Sequence, residues 1–337
     1  MLNPFRRTTL SARQERAVQR TLQQLRQQRR QRFRILACID GSEESFITVR
    51  FAARLAPTDD CDIIVLNVRP VDQGLWSGGL QVRLARQNML DAGFDLPGVR
   101  ELKQALEILK LEGLDVSSWQ RETAHEDAWG DPLGDNKIEY RSPEGRNVVL
   151  KLKTAPDPAS GILDQYELGP YNLMILGEPS RWRGEFHSFF DAGIVQRVAV
   201  LAPCSVMIAR SSLDRRGFFI CTDGTARSMQ AVRRSAVLAH MVKEPITLFS
   251  VATDLEGLAA AEENVKNARA LLKAMGIKVA HVETAVGRPG EMIIERGSSH
   301  RIIVVSDEGR SRLQRVFRGS TAYEVVRAAR TSVLDVR

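Results

Sequence analysis

The chain has 337 residues, of which 43% are hydrophobic and 26% charged, with a formal net charge of +7. That length is enough for two ordinary globular domains. No apolar run approaches the roughly 20 residues that a membrane helix needs, and the N-terminus lacks the apolar core of a signal peptide, so we expect a cytoplasmic protein.

The positive charge is concentrated in the first 34 residues, which hold ten arginines and one acid, Glu15, and therefore carry +9. The remaining residues sum to −2. Residues 11–31 contain no proline or glycine, which favours a helix, and we predict a basic helical extension over 1–32. Either this extension binds an acidic partner (a protein, a nucleic acid or an anionic lipid), or it is solvated and packs on its own domain or on a partner subunit.

The next residues predict a first domain over 33–210. A strand, a helix and a second strand within under 40 residues indicate a parallel βαβ unit. An insert at about 71–146 contains a helix and most of a β-hairpin. The predicted elements are strands at 33–39, 62–68, 137–141, 146–153, 173–177 and 205–209, and helices at 43–56, 99–111 and 194–201.

After a linker at 211–216, residues 217–337 predict a second domain with the same plan. Its apolar strands again alternate with amphipathic helices, which favours a second parallel sheet. The predicted elements are strands at 217–222, 246–252, 278–284, 302–305 and 332–336, and helices at 226–242, 255–275, 291–297 and from near Ala322.

The stretch before the last helix has the layout of an anion site. A buried strand ends at Val305, a polar loop with Gly309 follows, and Gly319 and Ser320 precede the helix. Glycines let the backbone approach a ligand, and the first N–H groups of a helix have no intrahelical partner and favour phosphate. The alternative is that the glycines only shape turns and Ser320 only caps the helix.

The two halves repeat one pattern. Cys38-x-Asp40-Gly41-Ser42-x-x-Ser45 matches Cys221-x-Asp223-Gly224-Thr225-x-x-Ser228 at an offset of 183, and Ser205-Val206 matches Ser332-Val333 at an offset of 127. The first copy therefore carries roughly 56 additional residues, most of them between 71 and 146.

These residues resemble the universal stress protein family in a tandem two-domain form. In the second half, Gly309 is followed by nine residues and then by Gly319 and Ser320, which fits the family pattern. Ser306 stands where the family has its first glycine, and its side chain either obstructs the phosphate or replaces that contact with a hydroxyl. In the first half, Ala192 stands where the Gly-Ser pair should begin, so we expect that domain to have lost its phosphate loop.

The resemblance implies a Rossmann-like α/β fold with two tandem, open, parallel five-stranded sheets and helices on both faces, the first with an α+β insert. It also implies a ligand site in the second domain. Asp223 in the Asp-Gly-Thr turn would bond the ribose or adenine side, and the backbone around Val251 would face adenine. Asp40 and Asp223 could each instead be a helix N-cap, which is the interpretation that we favour for Asp40. The implied nucleotide-binding residues are Asp223, Gly224, Thr225, Val251, Ser306, Gly309, Arg310, Gly319, Ser320 and Thr321.

Within this site, Ser306, Gly309, Gly319, Ser320 and Thr321 would hold the phosphates. Arg310, Arg312 or Arg318 would neutralise phosphate charge, unless these side chains are only solvated. Asp307 and Glu308 would either hold magnesium or weaken phosphate binding by repulsion.

We therefore expect a regulatory stress-response protein that binds ATP, with or without magnesium, or another adenine nucleotide, and switches conformation or partners with it. There is no Walker lysine motif and the five histidines lack metal-ligand spacing, so any ATP hydrolysis should be slow and incidental. The alternative is a scaffold that docks partners through the insert and the arginine-rich helix without a nucleotide. The two halves are expected to pair within the chain or to support a homo-oligomer.

Overall fold

The computed structural model describes residues 32–70, 98–128, 131–167, 170–178, 192–306 and 321–337. The predicted N-terminal helix at 11–31 lies outside these ranges. None of the described helices is both long and apolar enough to cross a membrane.

Strands and helices alternate along most of the described chain. The strands are β1 (Phe33–Ile39), β2 (Cys61–Pro70), β3 (Gln120–Ala128), β4 (Asp131–Arg141), β5 (Asn147–Ala155), β6 (Leu173–Gly177), β7 (Ser205–Ala209), β8 (Phe218–Cys221), β9 (Ile246–Ala252), β10 (His281–Val286), β11 (Ile302–Ser306) and β12 (Ser332–Val336). The helices are α1 (Glu43–Leu55), α2 (Val99–Leu111), α3 (Pro158–Glu167), α4 (Ala192–Leu201), α5 (Ala226–Met241), α6 (Leu258–Ala274), α7 (Pro289–Gly297) and α8 (Thr321–Ala328).

The strands form one sheet in the order β10-β9-β8-β11-β12-β7-β6-β1-β2-β5-β4-β3. Five neighbouring strands in each half are parallel: β5-β2-β1-β6-β7 in the first and β10-β9-β8-β11-β12 in the second. Along β1, Ile35 and Ala37 pack into one apolar cluster and Leu36 and Cys38 into another, because successive side chains point to opposite faces. Burial on both faces requires helices on both sides of the sheet, and the predicted fold class is confirmed.

Strands β7 and β12 join the halves as an antiparallel pair, with Val206 opposite Asp335. The main-chain N–H of Arg210 donates to Ser332 Oγ at 2.9 Å, and that of Arg337 donates to Ser205 Oγ at 3.2 Å. The two contacts correspond, because Arg337 lies 127 residues after Arg210 and Ser332 lies 127 residues after Ser205. The halves are thus related by an approximate two-fold axis, as two subunits are in an isologous dimer.

In keeping with this symmetry, each half provides one arginine whose side chain binds the other half. Arg210, with a 4% exposed side chain, donates to the carbonyl of Val326 near the end of α8 and forms a bidentate ion pair with Glu178 at 2.6 and 3.1 Å. Its counterpart Arg337 donates to the carbonyl of Ala199 near the end of α4. The last carbonyls of a helix have no intrahelical partner, so each half completes a helix of the other.

The structure changes the interpretation of the insert. Helix α2 connects β2 to β5 as α6 connects β9 to β10, so it is the crossover helix of the first half and not an addition. What is added within the described residues is the ribbon β3–β4, which extends the sheet past β5 in antiparallel pairing. The residues of β3 and α3 were not assigned to any element from the sequence.

Two ion pairs attach the end of α2 to α1: Glu112, which follows α2, pairs with Arg50 and Arg54 of α1. Arg50 Nη1 lies 2.9 Å from Glu112 Oε1, and Arg54 Nε lies 2.8 Å from Glu112 Oε2. Burial alone would raise the pKa of Glu112, but the hydrogen bonds and charges of Arg54 and Arg50 lower it below its ordinary value of 4.5. A lowered folded-state pKa means that ionised Glu112 stabilises the fold above the unfolded-state pKa, and that this stabilisation is lost as the pH falls through the folded-state value.

We therefore expect Glu112→Gln to lower the free energy of unfolding at pH 7 by about 1 kcal/mol, since both arginines are more than one-third exposed. Urea unfolding measured from pH 7 down to about pH 3 should show a difference from the unmodified protein that is constant at first and then shrinks below the ordinary pKa of 4.5. Glu263→Gln, which removes an exposed ion pair with Lys266, is the control and should change little. A difference that stays constant with pH would contradict the proposed role of the Glu112 charge.

Candidate functional site

A cavity of about 240 Å³ opens in the second half at the carboxyl ends of β8, β9 and β11. Strands β8 and β11 are sheet neighbours whose connections run in opposite directions along the sheet, which is where ligands bind in open α/β folds. The volume lies just below the usual range for ligand pockets, roughly 300–1,000 Å³, so the cavity suits one small ligand. Its described lining consists of Cys221, Thr222, Asp223, Ser228, Phe249, Ser250, Val251, Pro289, Ile293, Val305, Ser306, Thr321 and Ala322.

The turn after β8 fixes Asp223 at the mouth of this cavity. Asp223 Oδ1 accepts from the Thr225 N–H at 3.0 Å and from the Thr225 hydroxyl at 2.7 Å. Thr225 in turn is the N-cap of α5 and accepts from the N–H of Ser228 at 3.3 Å. A side-chain turn of this kind holds the carboxylate without placing it in the helix.

These contacts correct the proposal that the two aspartates are helix N-caps. The cap of α1 is Ser42, whose Oγ accepts from the Ser45 N–H at 3.1 Å, and Asp40 Oδ1 accepts from the hydroxyl and the N–H of Ser42. In both halves the aspartate stands two residues before the cap. The reason is geometric: only the residue at the cap can reach the free N–H groups of the first turn.

Asp223 is ionised at neutral pH. Burial alone would raise the pKa of Asp223, but hydrogen bonds from Ser228 and Thr225 hold that pKa below its ordinary value. An ionised carboxylate is an acceptor only, so it matches ligand groups that donate, such as sugar hydroxyls.

Gly224 is required by the same turn. Its φ is +78°, and a Cβ added there would lie 2.0 Å from Asn264 Oδ1 on helix α6. Asn264 Nδ2 also lies 3.4 Å from the hydroxyl of Ser250, which lines the cavity. The Asn264 side chain therefore occupies the space where a Cβ at this position would stand, in addition to the left-handed backbone that favours glycine.

Gly224→Ala should lower the free energy of unfolding by about 1–2 kcal/mol for the left-handed backbone, with a further loss because Asn264 must move. Gly276→Ala is a matched control, because Gly276 has a φ of +74° and open space around its Cβ position. The difference between the two variants in urea unfolding isolates the Asn264 contact. Equal losses would show that this contact contributes nothing.

The other walls of the cavity differ in character. Phe249, Val251 and Ile293 form an apolar side, whereas Ser306 and Thr321 present hydroxyl groups. Thr321 is the first residue of α8, so the first-turn N–H groups of a helix, which have no partner within the helix itself, lie at this end of the cavity. The arrangement can hold a flat apolar group on one side and an anionic group on the other.

The predicted site residues fall into three groups. Asp223, Val251, Ser306 and Thr321 line the cavity, and Gly224 and Thr225 form the adjoining turn. The other four, together with the arginines and acids of the same loop, lie outside the described residues. These four are Gly309, Arg310, Gly319 and Ser320.

In the first half, helix α1 lies close against the end of β6. Gly177 is the counterpart of Ser306, since Gly177 pairs with Ala209 as Ser306 pairs with Val336. A Cβ added at Gly177 would lie 2.9 Å from the Cα of Ser45 in the first turn of α1. A side chain at Gly177 would therefore collide with α1, whereas the counterpart Ser306 carries a side chain and lines the cavity.

Sequence reasoning missed several lining residues. Pro289 and Ile293 come from α7, which packs over β9 and β11 from one face of the sheet, and no local motif marks them. Thr222 is buried, with Oγ1 at 3.0 Å from Ser228 Oγ. Ser228 belongs to the repeated pattern, and that repetition was the only signal for it. Among the described residues, no three potential metal ligands cluster.

Comparisons with known proteins agree with this architecture. The model of the universal stress protein family matches residues 32–210 and again 218–337. Among solved structures, a universal stress protein from Archaeoglobus fulgidus DSM 4304 is 15% identical, with a TM-score of 0.58 over 90% of this chain and 98% of that chain. A functionally unknown protein from Pseudomonas aeruginosa PAO1 is 11% identical, with a TM-score of 0.54 over 90% and 92%. At these identities the likeness establishes the fold alone, and no curated protein matches the chain.

Proposed function

The chain belongs to the universal stress protein family as a tandem two-domain member, and on this premise we propose that it binds one adenine nucleotide in its second domain. ATP or a related adenine nucleotide would act there as a regulatory ligand, and the protein would not be an enzyme. The cavity at the ends of β8, β9 and β11 is the observation that supports this proposal most directly. Four residues chosen from the sequence meet there, although they are spread over about 100 positions of the chain.

Each wall of the cavity has a chemical role in the proposal. The ionised carboxylate of Asp223 would accept hydrogen bonds from ribose hydroxyls. The apolar side around Val251 would contact adenine, and Ser306 and Thr321 would donate to phosphate oxygens together with the first-turn N–H groups of α8. Of the described lining residues none is lysine or arginine, so neutralisation of phosphate charge is assigned to the loop with Gly309, Arg310, Gly319 and Ser320.

The position of α8 supports a switching role. Its first residue, Thr321, lines the cavity, whereas the carbonyl of Val326 near its other end accepts from Arg210 of the first domain. Gln196 of α4 also donates to the Tyr323 hydroxyl at 2.9 Å. A shift of α8 on nucleotide binding would therefore change contacts between the domains. The nucleotide would then favour one arrangement of the domains over another, which is what a switch requires.

The test is to purify the protein without added nucleotide, denature it and identify the released small molecules by mass spectrometry. We expect an adenine nucleotide at close to one per chain. Gly319→Glu should abolish it, because a carboxylate would occupy the place proposed for phosphate. Ala192→Glu places the same side chain at the repeat counterpart in the first domain and should leave the amount of nucleotide unchanged.

Thermal unfolding with and without ATP complements this experiment, because a ligand that binds only the folded state raises the unfolding temperature. If no nucleotide is released and ATP causes no shift, the proposal is wrong and a scaffold role takes its place. Loss of nucleotide in Ala192→Glu but not in Gly319→Glu would move the site to the first domain.

A further inference from the structure

A groove of about 580 Å³ lies between the two domains, well away from the cavity described above. On one side it is bounded by Phe33 and Leu173 at the amino ends of β1 and β6, and on the other by helix α5 of the second domain. Val237, 39% exposed on α5, and the buried Leu238 add to its apolar floor. The strand pair β7–β12 runs along its base.

The approximate two-fold axis generates a second groove on the opposite side of β7–β12. There, Ser332 takes the place of Ser205 and Arg54 of α1 takes the place of Val237, by the repeat offsets of 127 and 183. This second groove is filled by the linker that leaves β7. The linker bends there, since the Ser212 N–H donates to the Arg210 carbonyl at 2.7 Å and the Arg215 N–H donates to the Ser212 carbonyl at 3.2 Å. Ser212 is fully buried in it, with its Oγ 2.8 Å from Ser332 Oγ. Arg54 and Arg301 both donate to the carbonyl of Leu213, at 3.4 and 3.2 Å.

The open groove is lined by cationic side chains, whereas the second groove is filled by the linker. Arg233 and Arg234 of α5 and Arg337 after β12 line it, and the described lining includes no aspartate or glutamate. Arg337 is paired with Asp335 at 3.2 Å, and Arg234 donates to the carbonyl of Arg337. No ion pair or hydrogen bond joins Arg233 to another described residue. The uncompensated charge therefore lies on the exposed side of α5, above an apolar floor.

We propose that this interdomain groove is a docking site for a short acidic peptide segment of a partner protein. The filled groove shows that a polypeptide segment fits between the domains and that arginines on its wall donate to main-chain carbonyls. In the open groove, acidic side chains of the guest pair with Arg233 and Arg234, while its apolar side chains contact Phe33, Val237 and Leu238.

Other occupants fit the groove less well. Residues 1–31 contain eight arginines and one acid, Glu15, so this segment of the chain would be repelled by Arg233 and Arg234. A nucleic acid would match the charge of the groove. The apolar floor, and the linker that fills the second groove, favour a polypeptide.

Fluorescence anisotropy of the full chain with a short fluorescein-labelled peptide of alternating leucine and glutamate tests the proposal. The double variant Arg233→Glu, Arg234→Glu should bind this probe at least about tenfold more weakly. Arg269→Glu reverses an exposed arginine on another helix of the same domain and is the matched control. A labelled peptide of alternating leucine and serine should bind much more weakly to the unmodified protein.

Two results would overturn the proposal. The first is equal affinity for the acidic probe in the double variant and in Arg269→Glu, which would assign the binding to the N-terminal arginines or to diffuse charge. The second is no preference for the acidic peptide over the serine peptide. Asp223→Ala should leave probe binding unchanged, so the groove and the nucleotide site are tested separately.

Discussion

Replacing Asp223 with alanine is expected to weaken adenine-nucleotide binding by about 10- to 100-fold. Hydrogen bonds to a charged group contribute about 1.5–3 kcal/mol each, and a tenfold change in affinity corresponds to 1.4 kcal/mol. The carboxylate is held at the cavity by hydrogen bonds from Thr225, and the described lining includes no other carboxylate. Isothermal titration of the purified variant with ATP measures the change directly.

Asp40→Ala is the matched control for this substitution. Asp40 holds Ser42 as Asp223 holds Thr225, so both variants lose the same support for a helix cap. Both should unfold at slightly lower urea concentration, since a weakened cap costs about 1 kcal/mol. Only Asp223→Ala should lose nucleotide affinity. Equal losses of affinity in the two variants would mean that the effect is structural and that Asp223 does not contact the ligand.

Arg210→Ala is expected to lower the free energy of unfolding by about 3 kcal/mol. The side chain is 4% exposed and donates to Glu178, to the carbonyl of Val326 and to the carbonyl of Thr331 at 3.1 Å. Removing one partner of a buried ion pair costs about 3–5 kcal/mol, and the lower figure applies because Glu178 is 27% exposed and regains some hydration.

Urea unfolding followed by circular dichroism measures this loss, with Arg269→Ala as the control for removing an exposed arginine. Arg210→Lys should recover only part of the stability, because an ammonium group cannot donate bidentately to Glu178 and reach two carbonyls as well. A loss below about 0.5 kcal/mol in Arg210→Ala would show that the exchanged arginines do not hold the domains together.

Local patterns predicted the elements whose burial is decided locally. Strand β12 begins at Ser332 and ends at Val336 as expected, and β9 likewise runs from Ile246 to Ala252, because short apolar runs bounded by polar residues form buried parallel strands. Strand β10 runs from His281 to Val286, later than the predicted 278–284. Its edge position leaves His281, Val282 and Val286 exposed, so the apolar pattern that marks a boundary is weak there.

Long-range features could not be predicted in this way. Strand β3 is polar along its length and has its place because β4 pairs with it, with Thr123 opposite Ile138. The exchange of Arg210 and Arg337 depends on the antiparallel pairing of β7 with β12, and nothing near either arginine in the sequence indicates it. For the candidate site, the repeat located the turn at Asp223 and the family pattern located the strand end at Ser306, but the contribution of Ile293 from α7 follows only from packing.

The central claim is that one adenine nucleotide binds, in the second domain alone. Isothermal titration of the nucleotide-free full chain with ATP tests this claim most directly, because it gives both the affinity and the number of sites. We predict one site per chain, retained in Asp40→Ala and lost or severely weakened in Asp223→Ala. Two equal sites per chain, or one site that is lost in Asp40→Ala and kept in Asp223→Ala, would contradict it.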